Sequence, residues 1–382
     1  MNSDGSEGNS ISVRTSDIGL ISKQEIPLTL AHINAVGTAV PDHEVHQAFI
    51  DWAESRIEDR RMRAVFKRMA DRSGIRRRWS VLPHAPGGGT PVEPGGFYHG
   101  APPTTGDRMK VYAEAAPRLA LQAARSLNEQ VSLEGVTHLV VASCTGFVAP
   151  GIDQIIAAEL GLAANVERTL VGFMGCYAAI SALRLAHHLV RSEPEARVLV
   201  VTVELSTLHL QDDQSIEPLL AMLQFGDGAT ASLVTAEADG LAIFRPFAAN
   251  LPDSSRLIRW EIGDQGFVMH LSGEVPGRIS EALADPLVRD AMFGDTPIGE
   301  IDSWAVHAGG RSILDAVEHS LELPQGALAE SRGVLERNGN MSSSTLPFVL
   351  AELLAKPSER RGVALAFGPG LAAEGFHFRQ SL

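Results

Sequence analysis

Cysteine is scarce in this chain: Cys144 and Cys176 are the only two among 382 residues. That excludes a disulfide framework and fits a reducing compartment. No apolar run reaches the roughly 20 residues that a membrane-spanning helix requires. No basic segment followed by an apolar one opens the chain, so a soluble cytoplasmic protein without a secretory signal is expected. Positive charge is also in deficit. Lys and Arg number 32 against 46 Asp and Glu, for a formal net charge of −14, which argues against binding nucleic acid through the surface at large. No metal site is expected. What remains is ordinary globular material, 45% hydrophobic and 20% charged, long enough for two domains or one large two-lobed one.

Residues 1–27 are rich in Ser, Gly, Asn and acidic residues without sustained periodicity, as in a flexible extension. A first strand is expected over 28–40, closed by Pro41-Asp42, and one helix over 45–69. That helix carries Arg60, Arg61, Arg63, Lys67 and Arg68, with Arg72 and Arg76 to Arg78 just beyond. Guanidinium forks grip phosphate oxygens. Basic residues towards a helix C-terminus are equally at home on a solvated face, so the residues alone leave both readings open. Residues 83–106 are dense in Pro and Gly and read as loop. A helix over 108–128 is followed by a buried strand over 137–142 ending in Ser143-Cys144-Thr145-Gly146, a helix from about residue 152, and a strand over 169–171. The apolar run 197–203 ends in Glu204 and reads as a strand covered on both faces. Phe225-Gly226-Asp227-Gly228-Ala229 is a glycine-rich turn into a strand over 231–235, and residues 257–262 and 266–271 form a hairpin. Strands over 301–306 and 362–367, with helices from Arg311 and over 344–355, complete an alternation that argues for a layered α/β fold.

At Val171-Gly172-Phe173-Met174-Gly175-Cys176-Tyr177 a strand turns into an Ala/Leu-rich helix running to about residue 191. A cysteine at a helix N-terminus faces aligned dipoles and free N–H groups, which favour the thiolate. The glycines permit a sharp turn and close approach of a substrate. Cys176 is then a nucleophile that can be acylated, or a buried structural thiol. His307 ends the strand in Trp304-Ala305-Val306-His307-Ala308-Gly309-Gly310, and Asn340 lies in Asn338-Gly339-Asn340. His307 can take the thiol proton or pair as imidazolium with a thiolate. Asn340 can donate an N–H to a developing oxyanion. Each has a plainer use, His307 as a strand-end histidine held by backbone and Asn340 as a turn residue. All three fall where strands or loops meet helices, where ligands gather in α/β sheets. A papain-like protease uses the same three residue types, but its cysteine does not follow a strand halfway through an alternating α/β chain.

The segment Gly172-Phe173-Met174-Gly175-Cys176-Tyr177-Ala178-Ala179 resembles the nucleophile motif of type III polyketide synthases, the chalcone synthase-like family. Residues 304–310 resemble its histidine motif, and Gly339-Asn340-Met341-Ser342-Ser343 its asparagine motif. Phe225–Ala229, Leu251-Pro252-Asp253-Ser254 and Phe367-Gly368-Pro369-Gly370 match further family segments. The resemblance runs from about residue 28 to the C-terminus. It implies an α/β thiolase fold, layered α-β-α-β-α in two related halves: 28–245 with the nucleophile and 246–382 with His and Asn. It also implies a homodimer that takes acyl-CoA and malonyl-CoA directly, without acyl carrier protein and without a cofactor beyond these esters. Cys176 would carry the acyl group, while His307 and Asn340 hydrogen-bond the malonyl thioester carbonyl during decarboxylation. The resulting enolate attacks the acyl-enzyme, and the lengthened chain returns to Cys176 before cyclising to a pyrone or a resorcinol- or phloroglucinol-type phenol. A β-ketoacyl synthase III-like enzyme performing one condensation shares Cys, His and Asn. A catalytically silent CoA-binding protein is a further alternative. The segments around Asn340 and Phe367 favour the polyketide synthase, and the intact triad argues against a silent protein.

Departures from the family pattern reshape the expected cavity. Phe225 matches one gatekeeper phenylalanine between CoA tunnel and cavity, and Met269 stands at the other. Trp260 replaces a small glycine of plant members. Cys144, Ser206 and His209 match cavity threonines, with Thr145 beside them, and Ala149 stands where plant enzymes reach across the dimer with methionine. Glu204, Ser342 and Cys144 match a hydrogen-bonded set that biases cyclisation in plant relatives. A thiol is a weak donor, so Cys144 that merely packs is the alternative. The three basic positions of the CoA-tunnel helix fall on Val65, Arg68 and Arg72, with Arg63 or Lys67 able to substitute for the first. Together these departures point to a microbial-type synthase.

Overall fold

The computed structural model describes residues 29–381; the expected extension over 1–27 lies outside them. The first half of the chain runs β1 (Ala31–Ala39), β2 (His43–Glu44), α1 (His46–Arg56), α2 (Arg60–Asp71), β3 (Trp79–Ser80), α3 (Thr105–Asn128), β4 (His138–Ser143), α4 (Ile152–Glu159), β5 (Glu167–Gly172), α5 (Ala178–Ser192), β6 (Val198–Leu205), α6 (Ile216–Met222) and β7 (Asp227–Thr235). The second runs β8 (Leu241–Asn250), β9 (Ile258–Gly263), β10 (Gly266–Leu271), α7 (Val275–Ala284), α8 (Pro286–Phe293), β11 (Ser303–Val306), α9 (Arg311–Ser320), α10 (Ala329–Asn338), α11 (Thr345–Leu354), β12 (Arg360–Gly368) and β13 (Ala372–Gln380).

Nine strands form one continuous ladder in the order β11-β12-β13-β8-β1-β7-β6-β4-β5. The join between halves is the antiparallel pair β1–β8, held over Ala31↔Ile243 to Ile33↔Leu241. Side-chain alternation explains why the strands read as unbroken apolar runs. In β6, Leu199, Val201 and Val203 face the cluster built around α3 and α4, while Val198 and Val200 face α5. In β12, Val363, Leu365 and Phe367 pack with α7, α9 and α10, while Ala364 and Ala366 turn inward. Helices α5 and α11 therefore lie between the two half-sheets, with α3 and α4 outside one and α7 and α9 outside the other. This is the five-layer α-β-α-β-α arrangement expected for a thiolase fold.

Three expectations need correction. Residues 45–69 are two helices, broken at Ile57-Glu58-Asp59. Asp59 starts the second by accepting from the N–H groups of Arg61 and Met62, an N-cap that makes the break favourable. The segment Phe225–Ala229 is a turn only in its first half, since β7 already begins at Asp227 and leaves that carboxyl fully buried. Strands β8 and β13, which carry no distinct sequence signal, complete the second half-sheet. The hairpin is as expected, with Gly266 opposite Gly263.

Candidate active site

Cys176 sits in a single 3-10 turn, Gly175–Tyr177, between β5 and α5. Gly175 has φ +70°, and a Cβ there would lie 2.5 Å from Pro369 Cδ, so only glycine brings the turn against the Phe367–Gly370 segment. Phe173 and Ser342 also adopt left-handed backbone, with φ of 58° and 47°. Strained conformations of this kind gather at functional sites: Phe173 lies three residues before Cys176, and Ser342 Oγ is 3.9 Å from its Sγ.

The thiol opens on a small pocket of about 20 Å³ lined by Cys144, Thr145, Ser206, Phe225, Trp260, Met269 and Ser342. These residues, far apart in sequence, meet around the thiol, whereas His307 and Asn340 do not line this pocket. Cys176 Sγ approaches Ser342 Oγ at 3.9 Å, and Ser342 N–H donates to Asn340 Oδ1 at 2.8 Å. Asn340 Nδ2 donates to the Gly309 carbonyl, two residues beyond His307, at 3.2 Å. The backbones of Asn340 and the gate are locked together: Asn340 N–H bonds the Gln224 carbonyl at 2.8 Å, and Gly226 N–H bonds the Asn340 carbonyl at 3.0 Å. Gly339, with φ +68° and the Gln224 carbonyl 2.8 Å from any Cβ, is what permits this approach.

The electrostatics depart from the expected thiolate. Burial pushes the Cys176 thiol up to about 12, against the opposing pull of Ser342, Asn340 and its own N–H. Helix α5 begins two residues later, at Ala178, and its dipole does not overcome desolvation. Burial likewise lowers His307 to about 3, which favours the neutral ring, the proton acceptor of the two expected roles. Neither ring nitrogen of His307 has a hydrogen-bond partner among the described residues, although the side chain is fully enclosed. A buried imidazole with both nitrogens unused is costly unless a ligand supplies the partner.

Glu204 organises a second polar group behind the thiol pocket. It accepts from Cys144 N–H at 3.0 Å, Thr145 Oγ1 at 2.9 Å and Ser343 Oγ, and the Cys144 thiol lies 3.4 Å from both carboxylate oxygens. Cys144 Sγ is also 3.4 Å from Ser342 Oγ, so Cys144 joins the network instead of merely packing. Burial raises the Glu204 carboxyl to about 7. His209 is not in the small pocket. It bonds the Thr145 carbonyl through Nε2 at 2.7 Å and accepts from Phe267 N–H through Nδ1 at 3.0 Å, which spends both nitrogens. Trp260 donates to the Cys144 carbonyl at 2.8 Å and stands edge-on to His209.

Ser206, Phe225, Trp260 and Met269 also line a larger cavity of about 280 Å³, making them the partition between the two spaces. The basic residues of α2 line neither. Arg63 is turned back onto the Ile57 carbonyl at 2.7 Å, which withdraws it from the expected phosphate-binding set. Lys67, Arg68 and Arg72 are exposed and make no side-chain hydrogen bond or ion pair among the described residues. Two contributors went unrecognised in the sequence. Arg78, counted there within the basic patch, is 3% exposed and donates to the carbonyls of Met222 and Phe225 at 3.1 and 2.7 Å. Asp227 accepts from Val81 N–H, Thr207 N–H and Thr207 Oγ1 at 2.9, 2.8 and 2.7 Å. No local pattern marks either role, though an Asp between two glycines at the head of an apolar strand hints at a buried clamp.

A five-layer α/β fold with a cysteine, a neutral histidine and an asparagine at element ends defines a thiolase-fold enzyme of acyl-transfer chemistry. Family models for the chalcone and stilbene synthases match residues 21–238 (N-terminal domain) and 245–381 (C-terminal domain). The chain belongs to this family, the type III polyketide synthases, which are acyltransferases. Among its relatives is the alpha-pyrone synthesis polyketide synthase-like Pks18 of Mycobacterium tuberculosis, 34% identical over 296 residues, covering 72% of this chain and 74% of that protein. Bisdemethoxycurcumin synthase of Oryza sativa subsp. japonica is 33% identical over 372 residues, covering 90% and 91%. The fold is similar to that of the type III polyketide synthase domain of Steely1 from Dictyostelium, with TM-score 0.82 and 25% identity over 92% of this chain and 100% of that one. It is equally similar to PKS-I from the brown alga Ectocarpus siliculosus, with TM-score 0.82 and 29% identity over 92% and 99%.

Proposed function

We propose that this synthase loads an acyl-CoA starter on Cys176 and extends it iteratively with malonyl-CoA. The observation that carries the reading is the chain of contacts from Cys176 through Ser342 to Asn340, which bonds the Gly309 carbonyl two residues beyond His307, a histidine with no internal partner. In loading, the Cys176 sulfur attacks the starter thioester carbonyl. The thiol proton passes to a free nitrogen of neutral His307, and coenzyme A leaves as its thiol when that proton is returned. For extension, His307 and Asn340 donate to the malonyl thioester oxygen. Loss of CO2 leaves an enolate whose negative oxygen these donors stabilise. The enolate carbon attacks the acyl-enzyme, the Cys176 thiolate departs, and the β-ketoacyl-CoA product transfers back to Cys176 for the next round. Enclosure strengthens these hydrogen bonds and suppresses hydrolysis.

Lys67 and Arg68 on α2, with Arg72 at its C-cap, are exposed cations that can meet coenzyme A phosphates. No cofactor or carrier protein enters this scheme, and a cytoplasmic setting suits its coenzyme A substrates. A pyrone is the favoured product over a resorcinol or phloroglucinol, supported by the alpha-pyrone-forming relative. A homodimer completes the reading. β5 forms the bare edge of the sheet, with residues 167–170 exposed, and Leu170 and Phe147 are 50% and 49% exposed nearby; such an edge is a template for a second chain. Sedimentation analysis tests the dimer. For the chemistry, the protein is incubated with labelled malonyl-CoA and a panel of acyl-CoA starters, and products are read by mass spectrometry. Several extensions without carrier protein are expected, whereas one extension that requires carrier protein would overturn the scheme.

A further inference from the structure

The Pro/Gly-rich loop, which walls the 280 Å³ cavity with Val92 and Tyr98, also closes a second pocket of about 190 Å³. There Tyr98 and His99 of the loop meet Trp52 and Arg56 of α1, Arg108 of α3, and Asp212. None of these residues lines the thiol pocket. Arg108 is the group in this wall whose charge is unanswered. It is 1% exposed. Its Nε donates to the Pro103 carbonyl at 3.1 Å, and its Nη1 to the carbonyls of Leu208 and Leu210 at 2.6 and 2.9 Å. These three carbonyls fix the plane of the guanidinium and leave both N–H groups of Nη2 without a partner among the described residues. The Tyr98 ring centroid stands 5.3 Å from Arg108 Cζ. Gly266, with φ +96°, approaches so closely that a Cβ there would lie 2.8 Å from Arg108 Nε.

Carbonyls and a ring face solvate a cation, but none of them carries a negative charge. The carboxylates at hand are committed elsewhere. Asp107, the neighbour in sequence, bonds Thr104 Oγ1 and Lys110 Nζ at 2.7 and 2.9 Å. Asp212, in the pocket wall, pairs with Arg56. A buried cation without a counter-charge is costly, and a water molecule could accept from Nη2 without offsetting that charge. With Arg56 and Asp212 cancelling and His99 counted as neutral, the wall keeps the single positive charge of Arg108. One negative charge balances it, and guanidinium groups grip carboxylate oxygens well. A water-sized group takes about 30 Å³, so the pocket accepts on the order of six such groups. We propose that this pocket binds a small monocarboxylate, with its carboxyl group on Arg108 Nη2 and its apolar part against the Trp52 ring. Binding there is independent of the role given to Cys176.

Titration calorimetry and thermal unfolding of the full-length protein test this, with acetate and propanoate as probes and chloride holding the ionic strength constant. Saturable heat, with a rise in Tm that follows it, is expected for the wild type. Arg108→Gln should weaken acetate about tenfold or more, because it removes a charge-assisted hydrogen bond. Asp212→Asn serves as the second variant should that substitution impair folding. It removes negative charge from the wall and releases Arg56, so acetate should bind about threefold more tightly, a gain that damage to the fold does not produce. Absence of saturable binding to the wild type overturns the proposal. So does unchanged affinity in Arg108→Gln, or unchanged or weaker affinity in Asp212→Asn. Inorganic phosphate is titrated in parallel, and a protein that takes phosphate but not acetate would also overturn the monocarboxylate assignment.

Discussion

The two halves of the molecule repeat one plan. In the first, β4 runs parallel to β6, which is antiparallel to β7, which is antiparallel to β1; in the second, β11, β12, β13 and β8 repeat those joins. Strands β4 and β11 are therefore counterparts, and so are the residues that directly follow them, Cys144 and His307. Their surroundings differ sharply. Cys144 is tied through backbone and thiol to Glu204 and Ser342, while His307 has a side chain with no partner. The first half also adds β5, which has no counterpart and delivers Cys176. Duplicated scaffold positions have thus been given opposite tasks, one filled with a satisfied network and the other left open for a substrate oxygen.

The largest expected effect is at the added strand. Cys176→Ala should lower polyketide formation by on the order of 10³-fold or more while part of the malonyl-CoA decarboxylation survives, since the donors for the enolate remain. Product and acetyl-CoA release measured side by side check this, and full polyketide yield from the variant would remove Cys176 as nucleophile. The counterpart positions come next. His307→Ala should slow decarboxylation by on the order of 10²-fold or more, whereas Cys144→Ala should cost less than about tenfold, because a thiol is a weak donor. Equal losses at the two positions would erase the distinction between them.

Glu204→Gln tests the satisfied network through its pH dependence. Burial holds the folded carboxyl at about 7 against an ordinary 4.5. Between those values the folded chain keeps a proton that the unfolded chain has lost. The contribution is therefore complete below about pH 4.5 and is lost as pH rises to about 7, on the order of 3 kcal/mol. Asp227, raised to about 7 from 3.8 by burial, acts with the same sign, so the variant should show a shallower fall in Tm between about pH 4.5 and about pH 7, not a flat one. A slope equal to wild type would mean that Glu204 does not carry it. The smallest effect is expected on α2: Arg68→Ala or Arg72→Ala should raise the KM for malonyl-CoA by about fivefold, and Arg63→Ala by less than about twofold. The reverse ranking would place the coenzyme A phosphates against Arg63.

Much of the fold was legible because its signals are local. The apolar runs at 137–142 and 197–203 read as a buried strand and a doubly covered one, and both pack against a cluster on each face. The hairpin at 257–271 was marked by its turn. Strands β8 and β13 were not legible, since Arg245-Pro246 and the glycine and charged residues of 372–380 interrupt any clean period; pairing with neighbours makes them strands. At the site, Cys176, Ser342 and the gate pair could be found from their motifs, but Arg63 and Arg78 could not be sorted. Both are arginines in one basic stretch. One ends on the Ile57 carbonyl, the other beneath Phe225, and only packing distinguishes a solvated cation from a buried one.

The sequence by itself determined the alternation of strands and helices, the corners that hold Cys176, His307 and Asn340, and the membership of those corners in one family. These depend on side-chain period, turn chemistry and residue identity, all written along the chain. Tertiary structure alone decided the protonation of the site and the shape of its cavity. Burial set both, lifting Cys176 and Glu204 and lowering His307 against what their local positions suggest. The cavity depends on side chains hundreds of residues apart, with Trp260 and His209 closing one side and the Pro/Gly-rich loop roofing the other.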